Sequence, residues 1–454
     1  MGNRSYGVEV MNYVCAVKCM LWLTMVCCRP AMSISTRAAR HYLKRLNRPA
    51  VTTIKSPDGD LIDCVLISQQ LAFDHPLLKD HKVQMRPEYD ASKLMAEGNS
   101  VVEKASEGEG DKERAAASIF GRKFHTSEPE VEDSMKNKSS VKVIGHQLWH
   151  RVVPSCPEGT IPIRRTTEHD LRRRKKHMHK YGRKFHQPHV QGAAVSPAPA
   201  VEATGHQHAI GYVQGGRYYG AKANINVWNP SVQMANEFSL SQIWVLAGTF
   251  NNDLNSIEAG WQVSPDLYGD NNTRLFIYWT SDSYHTTGCY NLLCSGFVQV
   301  SNQIALGATI APISFYEDHQ YDITILIWKD PKQGNWWMQF GNKYILGYWP
   351  AEIFTSLSTS AGMVEWGGEV VNSGPGGVHT STQMGSGHFP EEGFGKASYF
   401  AHLLIVDGNN NLVSPGVVTT FAEQPSCYDV ESSYSSDWGS YFYYGGPGRN
   451  PSCP

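Results

Sequence analysis

From His206 to Pro454 one pattern restricts the fold more than any other: apolar side chains alternate along short runs, and the positions between them are also large. Leu275, Ile277 and Trp279 oppose Phe276, Tyr278 and Thr280, while Ile323, Ile325 and Ile327 oppose Thr324, Leu326 and Trp328. A period of two is the side-chain period of a β-strand, and bulk on both sides means a strand covered on both faces. Turn-forming clusters interrupt at short intervals, as at Asp270-Asn271-Asn272, Lys332-Gln333-Gly334-Asn335 and Asp407-Gly408-Asn409. Helical periodicity is almost absent apart from Ala351–Leu357. The fold class expected is all-β, an antiparallel two-sheet sandwich of about 250 residues preceded by a small α+β element and disordered linkers.

The first 205 residues read differently. They hold 32 Lys and Arg against 22 Asp and Glu, whereas residues 206–454 hold 8 against 20, so the net charge of -2 conceals halves of about +10 and -12. Opposite fields within one chain suit a nucleic-acid tail, a membrane-binding tail, or two parts that dock on each other; the last is favoured here. In residues 1–31, Arg4 and Lys18 precede the apolar run Cys19–Cys28, the make-up of a signal peptide. That run is well short of the about 20 residues a membrane-spanning helix takes, so no stable membrane span is expected. No clean small-x-small triplet follows it, which leaves an uncleaved signal anchor as the alternative.

Within residues 32–95, Ala38, Tyr42 and Leu46 fall at helical spacing, and Val51–Ile67 alternates as a hairpin about Pro57-Asp58-Gly59. Residues 96–145 are rich in Glu, Lys and Ser and too poor in apolar groups to offset their conformational entropy, which predicts a disordered linker. Residues 146–205 regain apolar and Pro character, then carry the basic run Arg172–Lys184 and the Pro/Ala spacer Ala193–Ala203. The main boundary falls near Gly205 and opens a domain over residues 206–454. Read alone, the basic run is also compatible with a nucleic-acid patch, but an export signal upstream and an acidic domain downstream favour an intramolecular role.

Four of the ten cysteines lie in the leader. The other six suit disulfides in an exported chain: Cys289 with Cys294 around a short turn, Cys427 with Cys453 across the Gly/Tyr/Ser-rich tail, and Cys64 with Cys156. Metal-ligand spacing is absent beside them, and no metal or cofactor is expected. Sequons at Asn137 and Asn271 are candidate glycosylation sites consistent with export, to the cell wall or apoplast or to a vacuole.

Two stretches carry acids on a polar strand face. In Ser256–Val263, Glu258 shares a face with Ser256, Gly260 and Gln262; in Val364–Val371, Glu365, Gly367 and Glu369 share one. Flanking glycines would let a substrate backbone approach the carboxylates. Solvated, outward-facing acids are the bland alternative.

The segments EFSLSQIWV (Glu237–Val245), IEAGWQVSPDLYGD (Ile257–Asp270), RLFIYWTSD (Arg274–Asp282), GCYNLLCSGFVQV (Gly288–Val300), WKDPKQGNWW (Trp328–Trp337), GYWP (Gly347–Pro350) and EWGGEV (Glu365–Val370) resemble, in order, the catalytic domain of the neprosin family. Upstream, Thr36–Val65 and Cys156–Thr166 resemble that family's activation segment. The resemblance implies a plant-type secreted zymogen of a glutamic endopeptidase that prefers proline and works at acid pH. By motif, the catalytic glutamates are Glu258 and Glu369, with Glu365 as the rival for the second role. Its partners would be a proline-rich peptide or protein and its own propeptide, with no nucleic acid, and the chain would be a monomer.

Two carboxylates suffice for amide hydrolysis, one activating water and the other, kept protonated by its neighbour, donating to the departing nitrogen. Gln242, Trp244, Trp279 and Tyr348 are the candidates for substrate contact, since aromatic faces suit a proline ring. A Ser/His/Asp site lacks its GxSxG elbow, and the histidines are too scattered for a zinc triad. The rival reading from another class is a secreted β-sandwich that binds carbohydrate or cell-wall components without turnover; a weaker one is an adhesive structural protein.

Overall fold

The computed structural model describes residues 36–88, 141–173, 205–250 and 252–454. The signal peptide, Asn137, residues 96–140 of the predicted linker, the basic run beyond Arg173 and the Ala193–Ala203 spacer lie outside the described residues. The chain divides into two compact units, residues 1–45 and 46–454. The described part of the first is helix α1 (Thr36–Leu46), whose last turn carries Lys44 and Arg45, the charge that suits a helix C-terminus. No described helix is long and apolar enough to cross a membrane.

The second unit begins with the predicted hairpin. Strands β1 (Ala50–Lys55) and β2 (Leu61–Leu66) pair antiparallel, and Ser56–Asp60 closes the turn with Gly59 at φ 92°. Strand β4 (Thr160–Arg164) completes a three-stranded sheet, and the Cys64–Cys156 disulfide ties its two parts together. Strand β3 (Lys142–Val143) pairs in parallel with a strand of the following domain, so ordered chain resumes within the predicted 96–145 linker.

From His206 onward two sheets pack face to face. The seven-stranded sheet contains β5 (His206–Tyr218), β7 (Ser239–Ala247), β8 (Asn255–Val263), β9 (Arg274–Thr280), β10 (Cys289–Tyr290), β15 (Ala361–Val371) and β18 (Thr419–Ala422), in the order β10-β9-β8-β7-β15-β5-β18. The second sheet is ten-stranded. Its main path is β11 (Val298–Gln299), β14 (Tyr344–Trp349), β13 (Trp336–Phe340), β12 (Tyr321–Lys329), β6 (Gly220–Asn226), β16 (Ser398–Val406), β20 (Gly439–Gly445) and β19 (Asp429–Ser435). Strand β17 (Leu412–Val413) pairs with β16, and β3 with β12. The segment Ala351–Leu357 forms two 3-10 turns.

The alternation read in the sequence sorts the side chains as sheet geometry requires. Ile243, Val245, Ile257, Ala259, Trp261, Ile277 and Trp366 point between the sheets and meet Ala223, Ile225, Ile323, Ile325, Ile327 and Phe400 from the other side. Burying one such aliphatic side chain is worth about 1.5–3 kcal/mol, so this core dominates the stability of the domain. The opposite face of the seven-stranded sheet is thereby left for other work.

The upstream elements dock on the sandwich through an apolar core and an ion cluster. Ile54, Ile62, Trp149 and the Cys64–Cys156 pair close over Ala305 and Ala308, and Ala72, Phe73 and Val83 pack on Trp328, Trp337 and Tyr348. Fully buried Arg274 lies 2.5 Å from both Asp60 upstream and Asp270 on its own domain, and 3.8 Å from Asp58. At this contact the signs are the reverse of the net charges, because the upstream element supplies the acids.

Candidate active site

Across the seven-stranded sheet, the register lines up Tyr278 on β9, Glu258 on β8, Trp244 on β7, Glu365 on β15 and Tyr212 on β5. Directly paired residues point to the same side, so the five share the face turned away from the inter-sheet core. Two residues along, the row is Phe276, Gly260, Gln242, Gly367 and Ile210; two further, it is Arg274, Gln262, Leu240, Glu369 and His208. Glu258 and Glu365 are thus two strand spacings apart in one row, about 10 Å at Cα, whereas Glu369 is displaced a further four residues, about 13 Å, along its strand.

The environments of the three glutamates differ. Glu258 is fully buried and accepts from Ser256 Oγ at 2.7 Å, Tyr284 Oη at 2.8 Å and Gln242 Nε2 at 3.1 Å. Tyr284 is delivered by the loop after β9, where Asp282 gathers Thr286 and Thr287 and where Ser283 and Tyr284 adopt positive φ. Burial, then the charge of Glu258, raises the Tyr284 hydroxyl well above its ordinary range, so it remains a donor.

Glu365 is 4% exposed, and among the described residues its Oε1 has no hydrogen-bond partner. Burial pushes its pKa up to about 8; the charge of His208 opposes the rise, and Glu423, Glu258 and Glu369 add to it. Glu369 is bound to histidine, with His206 Nδ1 at 2.7 Å and His208 Nε2 at 3.9 Å.

Gln242 and Trp244 therefore stand beside the glutamates. Trp279 and Tyr348 do not. Trp279 pairs with Ile257, one residue out of phase with Glu258, and turns into the inter-sheet core. Tyr348 belongs to the other sheet, stacks on Trp337 at 4.6 Å, and its hydroxyl contacts His81 and accepts from the Gln84 amide. A one-residue change of phase along a strand, and a strand assigned to the other sheet, are the physical reasons for these two corrections.

The glycines beside the acids also have a different cause from the one expected. A Cβ on Gly260 would lie 1.9 Å from the Ser241 carbonyl oxygen, and one on Gly367 would lie 2.4 Å from that of Ala209. Close approach of neighbouring strands, rather than of a substrate, excludes a side chain there. Ser256, Tyr284, His206, His208 and Glu423 were not singled out as site residues from the sequence; only Ser256 carried a signal, its place on the Glu258 face.

All three predicted disulfides form, with Cα separations of 5.6 Å for Cys64–Cys156, 5.7 Å for Cys289–Cys294 and 5.4 Å for Cys427–Cys453. Asn271 is exposed in the turn before β9. Among the described residues, the grouping with metal-ligand proximity is His379 with Cys427 and Cys453, and its two sulfurs are already joined.

The chain thus combines a two-sheet sandwich, buried glutamates on one face and an upstream element docked on it. Residues 235–447 match the Neprosin family and residues 53–212 match the Neprosin activation peptide, so the chain belongs to the neprosin family. It is a peptidase zymogen with its own activation peptide. Similar solved structures include scytalido-glutamic peptidase bound to a peptide-based transition state analog, at 13% identity over 53% of this chain and 97% of that one, TM-score 0.29. Another is SCP-B, a member of the eqolisin family of peptidases in complex with a tripeptide, at 13% identity over 53% and 96%, TM-score 0.27.

Proposed function

We propose that the chain is the precursor of a secreted, acid-active glutamic endopeptidase that cleaves next to proline, and that Glu258 and Glu365 form its working pair. The observation that carries this reading is the single cross-strand row holding both, with opposite surroundings at the two ends. Glu258, supplied with donors by Ser256, Gln242 and Tyr284, is suited to bear charge and to activate water. Glu365, buried and with one oxygen lacking a partner among the described residues, is suited to stay protonated, polarise the scissile carbonyl and give its proton to the departing nitrogen. Trp244, between them in the row, offers an apolar face against which a proline ring can pack.

Glu369 was the preferred second glutamate by motif, and this reading moves that role to Glu365. The reason is geometric: Glu369 is engaged by two histidines and lies in the row of Gln262, not of Glu258. Ionisation of Glu365 as pH rises removes the proton that this scheme donates, so activity falls through the Glu365 titration.

The test is cleavage of a proline-containing peptide by acid-treated protein, comparing Glu258→Gln, Glu365→Gln and Glu369→Gln. Glu258→Gln and Glu365→Gln should each lose at least about 10²-fold in kcat, the scale of a lost general acid or base. Retained activity in Glu365→Gln with loss in Glu369→Gln would return the role to Glu369. No cleavage by any form, wild type included, would favour a binding protein.

A further inference from the structure

Three of the carboxylates on this face, Glu365, Glu369 and Glu423, act on one cationic side chain that the hydrolytic scheme does not use. His208, on β5, is paired in register with Glu369 on β15. On its other side Glu423, immediately after β18, grips it twice: the His208 amide donates to Glu423 Oε2, and the ring Nδ1 lies 3.0 Å from Glu423 Oε1. The Glu423 amide in turn donates to the His208 carbonyl at 3.3 Å. The residue is thus fixed and buried, with Nε2 at 3.9 Å from Glu369 Oε2 and the ring centroid 6.1 Å from that of Trp244.

We propose that His208, clamped by Glu423, is a positioning residue of the peptidase site: it holds a fixed positive charge against Glu369 and Glu365 and thereby sets the upper pH limit of the reaction. The inference rests on the Glu258/Glu365 reading. The titratable groups on the same face are Glu365 and Glu369 from β15, His206 and Tyr212 from β5, Glu423 after β18, Glu258 from β8, and Tyr278 and Tyr284 from β9 and its following loop, of which Glu423 and Glu369 touch the ring. Arg274, at the far end of the face, is matched by Asp60 and Asp270.

Burial disfavours a charged imidazole, and Glu423, with Glu369 and Glu365, outweighs it and holds the His208 pKa at about 9. The ring is therefore cationic throughout the acidic and neutral range. Its field opposes the burial and like-charge repulsion that keep Glu365 protonated. Without it, Glu365 retains its proton to higher pH. His208 touches Glu369 and lies one strand over and four residues along from Glu365, so its loss should move the alkaline limb of kcat/KM upward by less than the about 1–3 units typical of a carboxylate in direct contact with a charge.

The experiment is the pH profile of kcat/KM for activated wild type, His208→Gln, His208→Arg and Glu423→Gln, with a proline-containing peptide as substrate. His208→Gln should move the alkaline limb upward, and His208→Arg should restore it toward wild type. Glu423→Gln removes an anion that itself helps to keep Glu365 protonated while leaving the imidazole in place, so it should move the limb downward, opposite to His208→Gln. An unchanged limb in His208→Gln, even with reduced stability, would overturn the proposal. If His208→Gln does not fold, a limb that fails to move downward in Glu423→Gln would do so instead. Activity surviving in Glu258→Gln or Glu365→Gln would sink the pair itself, a result distinguishable from a wild-type pH profile in the His208 variants.

Discussion

Glu258 and Glu365 face the same side of the seven-stranded sheet from two strands separated by a third, with Trp244 of that third strand between them in a single row of paired residues. The sheet itself therefore fixes their spacing, since changing it would require a slip in register that would turn every core side chain on that strand outward. What distinguishes the two is local. One is ringed by donors and the other is buried against carboxylates.

This difference predicts a pH-dependent stability signature at Glu365. Its pKa rises from an ordinary 4.5 to about 8 in the folded protein, so the unfolded chain ionises first and unfolding is increasingly favoured between those values. Glu365→Gln removes that penalty. The melting temperature of the variant should be close to wild type near pH 4 and exceed it increasingly toward pH 8, as followed by differential scanning fluorimetry. Parallel curves would mean that Glu365 is not held protonated.

Tyr284 should matter to rate more than to binding. A hydrogen bond to a charged group is worth about 1.5–3 kcal/mol, so Tyr284→Phe should lower kcat by roughly 10- to 100-fold with little change in KM. Steady-state kinetics at the pH optimum measure this. A wild-type kcat would remove Tyr284 from the orientation of Glu258.

Release of the activation peptide should depend on Asp58 and Asp60. Burial tends to raise the Asp58 pKa, but hydrogen bonds from Ser56 and Thr309 and the charge of Arg274 outweigh it and hold it below its usual 3.8. A depressed carboxylate stabilises the docked state above 3.8 and loses that contribution as pH falls through its folded value. Asp58→Asn should weaken docking at pH 6 and flatten its pH dependence, Asp60→Asn should weaken docking by removing the Arg274 contact, and Trp149→Ala should weaken it at every pH, by about 3–5 kcal/mol. Size-exclusion chromatography of cleaved protein across pH reads all three. Aspartate variants that release along the wild-type curve would assign acid sensitivity elsewhere.

The Cys64–Cys156 disulfide makes cleavage of the activation peptide a two-stage matter. It spans 92 residues of chain, and a cut anywhere between the two cysteines leaves both fragments joined. Limited proteolysis in that interval should yield a product that separates on a denaturing gel only after reduction. Separation without reductant would show that the bond is not formed.

The sequence by itself determined the class of fold, the hairpin about Asp58-Gly59, the strand start at His206, the three cysteine pairs and the shared face of Glu258, Gly260 and Gln262. The fold class, the hairpin, the strand start and the shared face follow from side-chain period and turn chemistry, which are local, and the cysteine pairs from an even count in an exported chain. Which glutamate stands opposite Glu258, which way Trp279 and Tyr348 point, why Gly260 and Gly367 lack side chains, and the grip of Glu423 on His208 were decided by tertiary structure alone. Each depends on the register between strands far apart in the chain, and along a strand of period two Glu365 and Glu369 are equivalent until a neighbour is paired against them.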